Sequence, residues 1–135
     1  MMLFAAALTL FAIVTTSIEP QITNPTGTYR LQARRTNRIG EMRVTLCDRS
    51  RIAIRLVVSS GAPAYDAATL VDTIDYWNNT AIYTDPNDDA SCRLVFLFSR
   101  TGTRIEEEQH GACSFGNGVT IAGFYRRVNR KARTL

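Results

Sequence analysis

From residue 26 onward apolar and polar side chains alternate almost without interruption, the pattern a chain shows when successive side chains leave opposite faces of a sheet. Tyr29, Leu31 and Ala33 alternate with Arg30, Gln32 and Arg34. Met42, Val44 and Leu46 alternate with Arg43 and Thr45, and Ile52, Ile54, Leu56 and Val58 alternate with Ala53, Arg55, Val57 and Ser59. The short polar segment Cys47 to Arg51 predicts a hairpin between the last two. Ser60-Gly61-Ala62-Pro63 then breaks the pattern, Ala67 to Tyr76 and Thr80 to Thr84 read as strands around an Asn78-Asn79 turn, and Asp85 to Asp89 is a loop. Cys92, Leu94, Phe96 and Phe98 share one parity in the most apolar strand, Arg104 to Gln109 follows the Thr101-Gly102 turn, and Val119, Ile121, Gly123 and Tyr125 mark the last strand.

No segment sustains a 3.6-residue repeat, so the expected fold is all-β, an antiparallel meander of about eight strands. Consecutive strands of that number remove their edges by closing into a small barrel whose interior is filled by side chains or holds one small ligand. A β-sandwich is the alternative.

With 135 residues there is room for one domain, and 45% apolar with 21% charged residues excludes a disordered tail or a multi-span membrane protein. The net charge of +4 comes from one end, because Arg126, Arg127, Arg130, Lys131 and Arg133 crowd the last ten positions; without them the balance is 11 basic to 12 acidic residues. The rest of the chain therefore gives no sign of a nucleic-acid partner.

Residues 3–14 form an uncharged apolar run of signal-peptide length, too short to span a bilayer, and small polar residues Thr15, Thr16 and Ser17 follow. We therefore expect residues 1–17 to be a signal peptide, residues 18–135 to be a single barrel domain with a basic tail, and the protein to be a periplasmic or secreted monomer. Three cysteines in an oxidising compartment suggest one disulfide and a free thiol. Cys92 with Cys113 is the expected pair, since one opens the apolar strand and the other lies in the Gly-rich turn before the last strand; Cys47 is left over.

Candidate chemistry is sparse, and no catalytic residue, metal site or cofactor is expected. Asp85, Asn87 and Asp89 match the first positions of a calcium loop, but Ala90 stands where Gly is needed and Phe96 where Glu belongs. His110 is the single histidine and has no nucleophile to activate, and Glu106, Glu107 and Glu108 read as solvent-facing. Gly116, Gly118 and Gly123 lead into a strand instead of a helix, which is wrong for a dinucleotide loop. Arg34, Arg35 and Arg38 read as solvated. Asn78-Asn79-Thr80 has the form of a glycosylation sequon.

Cys113 to Val119 followed by Gly123-Phe124-Tyr125-Arg126, together with Gly27-Thr28-Tyr29, Ser60 to Tyr65 and Ser91-Cys92, resembles small exported bacterial proteins of uncharacterised function. The middle of the chain is loosely similar to the membrane-bound inhibitors of C-type lysozyme. That family has a loop of the form S-G-x-x-Y, an aromatic strand, then K-G and an alanine. Ser60 and Gly61 match, Tyr65 sits one residue late, Trp77 and Ala81 fill the aromatic and alanine positions, and Asn78 and Asn79 replace the lysine loop. The resemblance implies an envelope barrel that inserts both loops into the lysozyme cleft, with Ser60, Gly61, Tyr65, Trp77 and Asn78 as partner-binding residues. The expected function is a non-enzymatic exported binding protein whose partner is a cell-wall hydrolase; a small-ligand carrier of lipocalin-like type is the alternative.

Overall fold

The computed structural model describes residues 12–15, 24–33, 35–86, 92–109, 113, 115 and 118–131. Eight strands run in chain order: β1 (Gly27–Leu31), β2 (Ile39–Asp48), β3 (Arg51–Ser59), β4 (Ala67–Trp77), β5 (Thr80–Thr84), β6 (Arg93–Phe98), β7 (Gly102–Glu107) and β8 (Gly123–Asn129). Each pairs antiparallel with its neighbour, and β8 returns to β1, so the meander closes into a barrel and the sandwich is excluded. Among the described residues no helix is long and apolar enough to cross a membrane.

The alternation decides which way each side chain faces. Tyr29, Met42, Leu56, Leu94, Phe96, Ile105 and Tyr125 are wholly buried in the interior, while most of their strand neighbours are partly or fully exposed. Each such side chain contributes about 1.5–3 kcal/mol by leaving water. Tyr29 and Tyr76 both meet Phe98 edge-to-face, with ring centroids 6.1 and 5.7 Å away.

Two buried tyrosines fasten the segments that lead into the closing strands. The Tyr29 hydroxyl donates to the Pro25 carbonyl at 2.6 Å, and the Tyr125 hydroxyl donates to the Ile121 carbonyl at 2.7 Å. Each bond reaches back four residues, so the chain is tied down before its strand begins. Cys92 and Cys113 form the expected disulfide, with Cα atoms 4.6 Å apart, and Cys47 is free and exposed.

Several boundaries differ from the sequence reading. The β2–β3 turn is Arg49-Ser50, because a bulge near Cys47 lets β2 continue to Asp48. Asp48 fixes that turn by accepting the Ser50 amide at 2.8 Å and its hydroxyl at 3.0 Å, and these bonds hold its carboxyl below the usual carboxylate range. The last strand starts at Gly123 instead of Val119; Val119 and Ile121 are buried but precede the ladder. Part of the basic tail is structural, since Arg126 and Arg127 lie in β8. The Arg127 guanidinium donates to the Asn24 carbonyl at 2.7 Å and to the Thr26 carbonyl, and sits 5.8 Å from the Tyr29 ring centroid. Arg38 is not merely solvated either, because Nη1 donates to the carbonyls of Thr120 at 2.7 Å and Ala122 at 2.9 Å. Asn87, Asp89, Ala90, His110 and Gly116 lie outside the described residues, as do Arg34 and Arg133.

Candidate functional site

The expected binding residues fall in two groups at opposite ends of β4. Ser60, Gly61 and Tyr65 lie in the loop that enters the strand, and Trp77 and Asn78 lie where it leaves. At about 3.3 Å per residue the ends of β4 are up to roughly 33 Å apart. The two loops are therefore not neighbours, and a partner that uses both must reach along the barrel.

The first loop is held internally. The Ser60 amide donates to the Asp66 carbonyl at 2.8 Å, and the Ser60 hydroxyl accepts the Asp66 amide at 3.0 Å. The Tyr65 amide donates to the Gly61 carbonyl at 2.8 Å. Gly61 is buried at φ 74°, where a side chain is strained, and an added Cβ would lie 2.3 Å from the Asn37 carbonyl oxygen. Ser60 and Gly61 thus hold the loop together, and Tyr65, 69% exposed, is its outward group.

The second group is presented outward. Asn78 and Asn79 have φ of 50° and 60°, as a two-residue type I′ hairpin requires, and asparagine tolerates this conformation well. The Tyr76 hydroxyl, 3.1 Å from Asn79 Oδ1, ties the turn to the core, and burial pushes the Tyr76 phenol up to about 12. Trp77 follows Tyr76 and faces the other way, which leaves it 76% exposed. Cross-strand register aligns Trp77, Thr80, Leu97, Arg104 and Phe124 in one row over five strands, with the Arg104 guanidinium 5.8 Å from the Phe124 ring centroid. Beside the row, Asp75, Trp77, Asn78, Thr80 and Ile82 line a surface groove of about 400 Å³. Ile82 and Leu97, each 40% exposed, extend the apolar surface around the indole.

The groove lies where two strands separate. β4 and β5 pair only at Tyr76 with Ala81 and at Trp77 with Thr80, whereas β3 and β4 pair continuously from Arg51 with Asp75 to Ser59 with Ala67. Asp72 shows the consequence. It shares the inward parity of Leu70 and Ile74 yet is exposed, because it stands at the opening beyond the hairpin. Tyr83, on the β5 side, has its phenol pushed up first by burial and then by the charges of Asp85 and Asp72.

Charge is divided around the barrel. Asp66, Asp72, Asp75 and Asp85 lie along or at the ends of the two separating strands. On the outer surface of β8, β1, β2 and β3, Arg126 faces Arg30 and Arg43 faces Arg55 in register. Glu41 is the carboxylate among them and pairs with Arg43 at 2.9 Å.

Sequence reasoning named Trp77 and Asn78, which line the groove, and did not name Asp75 and Ile82, which line it too, or Asp72 at the opening. A signal was present, since Asp72 interrupts the apolar set Ala68, Leu70, Ile74 and Tyr76. Among the described residues no three His, Cys, Asp or Glu side chains gather as metal ligands would. Glu106 and Glu108 are exposed and Glu107 is half-buried; Glu108 pairs with Arg93 at 3.4 Å. No known family model, curated protein or solved structure matches the chain. Fold and site together define a disulfide-bonded, eight-stranded antiparallel barrel with an exposed tryptophan on a tight hairpin, near an acidic opening between two strands.

Proposed function

We propose that this protein is an exported, non-enzymatic barrel that binds a protein partner through the outer surface around Trp77. The observation that carries this is the largest apolar side chain of the chain held in water, 76% exposed, by a rigid hairpin with Ile82 and Leu97 beside it. Indole anchors of this kind, set among smaller contacts, dominate binding energy at protein interfaces. The disulfide is compatible with export. A small-ligand carrier is less well supported, because Tyr29, Tyr76, Phe96 and Tyr125 fill the interior.

The resemblance to lysozyme inhibitors supplies the partner class, a cell-wall hydrolase, and the hairpin is the part of that likeness best placed for contact. The test is the clearing of a cell-wall suspension by a C-type lysozyme with micromolar protein from residue 18 onward, run beside Trp77→Ala and Ser60→Ala. Inhibition lost with Trp77→Ala and kept with Ser60→Ala is the expected result. A folded protein that leaves lysozyme unaffected removes this partner class. A photo-crosslinker at Thr80 that captures the same proteins with and without Trp77→Ala, or the same set as one at Arg55, overturns the binding surface.

A further inference from the structure

In an antiparallel strand the amide and carbonyl of one residue point to the same side, and the side alternates from residue to residue. The Tyr76 amide donates to the Ser50 carbonyl at 2.7 Å, and the Asp66 carbonyl accepts the Ser60 amide at 2.8 Å. With unbroken register between them, the even-numbered residues of β4 are bonded to β3. The odd-numbered residues turn their backbone groups towards β5, which has already separated. Two stations on this side are closed by side chains: the Thr73 amide donates to Asp72 Oδ1 at 2.8 Å, and its carbonyl accepts from Arg51 Nη2 at 3.0 Å. Ala67, Thr69 and Val71 have no backbone partner on that side among the described residues, and all three are exposed. They form a short open edge, with Asp66 at one end and Asp72 next to the other; Asp75 and the Trp77 groove lie further along β4, roughly 13–20 Å beyond Val71.

We propose that this edge receives an extended, lysine- or arginine-bearing segment of a protein partner as an added strand, paired to Ala67, Thr69 and Val71 and running on unpaired past Thr73 to carry a side chain into the Trp77 groove. The inference rests on the partner-binding function proposed above and identifies the partner's chemistry. Only another extended backbone offers donors and acceptors at the spacing of alternate residues, which is how strand addition works. The charge of the segment follows from the carboxylates at the opening. Asp75 is 96% exposed in its side chain, and its ion pair with Arg51 is loose at 3.8 Å, so a cation can compete for it. A cation that reaches the groove can also lie on the indole face. Asp72 and Arg51 close Thr73, limit the docking length, and discourage pairing with an uncharged strand.

The probe is a nine-residue peptide alternating lysine with valine, compared with its glutamate counterpart and with a lysine peptide N-methylated at alternate amides. Trp77 is the single tryptophan, so its fluorescence reports the groove directly, and amide exchange reports the edge. The lysine peptide should shift the emission and slow exchange at Ala67, Thr69 and Val71 at least tenfold, while the glutamate and N-methylated peptides bind at least tenfold more weakly. Val71→Pro removes one docking donor that the β3 ladder does not use and should weaken binding by a similar factor. Equal binding of the methylated peptide, protection elsewhere on the barrel, or no binding by the lysine peptide overturns strand addition. If Trp77→Ala still abolishes partner capture in that event, the binding surface stands and only its mode is wrong.

Discussion

Arg126 and Arg127 are adjacent, carry the same charge and sit in the strand that closes the barrel, yet they should differ sharply when removed. Arg126 points into solvent, so Arg126→Ala should change stability by no more than about 0.5 kcal/mol. Arg127 joins β8 to the segment before β1 through the Asn24 and Thr26 carbonyls and covers the Tyr29 ring. Hydrogen bonds from a charged group are worth about 1.5–3 kcal/mol each, and these fall towards the low end because the site is partly exposed. The cation over the ring adds about 0.5–1 kcal/mol. Shared solvation of one guanidinium makes the terms less than additive, which leaves about 2–3 kcal/mol for Arg127→Ala. Urea unfolding followed by circular dichroism should show its midpoint roughly 1–2 M lower, with the slope unchanged. Equal midpoints for the two variants would refute the structural role assigned to Arg127.

Reducing the disulfide, or replacing Cys92 and Cys113 by alanine, should cost about 3 kcal/mol in the same assay, the loop-closure entropy for a sequence separation of 21; a loss below about 1 kcal/mol would contradict the chain-entropy account. Asp72→Ala uncovers the Thr73 amide and removes the charge from the open edge, so size-exclusion chromatography should show association that grows with concentration and is absent from wild type. Tyr29, Tyr76, Tyr83 and Tyr125 all have phenols raised by burial, so the neutral form is the one favoured by folding. Stability from these groups should be complete below pH of about 10 and fall as pH rises towards the Tyr76 value of about 12. Phenolate absorbance tracked with circular dichroism checks this, and full ionisation at pH 10.5 without loss of the fold would contradict it.

The barrel was legible because alternation is a local property. Met42 to Leu46 and Ile52 to Val58 each show which side chains enter the core, and short turns force neighbours to pair. The disulfide was legible for a related reason, since one cysteine adjoins an apolar strand and the other precedes the last one. Val119 and Ile121 misled because burial at alternate positions does not require a ladder; their segment is held by the Tyr125 hydroxyl and Arg38 instead. The separation of Ser60 from Trp77 was hidden because two loops read as one site can stand at opposite ends of the strand that links them. Asp72 could have been noticed as a charge of inward parity, but its role depends on where β5 leaves β4, and that is set by tertiary packing.

Residue-resolved amide exchange along β4 in the free protein tests most directly whether the barrel presents an open edge on the strand that leads to Trp77. Ala68, Leu70, Asp72 and Ile74 should be protected with the core, while Ala67, Thr69 and Val71 exchange near unstructured rates and Thr73, held by Asp72, lies between. Uniform protection of all eight amides would mean that β4 is paired on both sides, and would contradict the proposed docking edge.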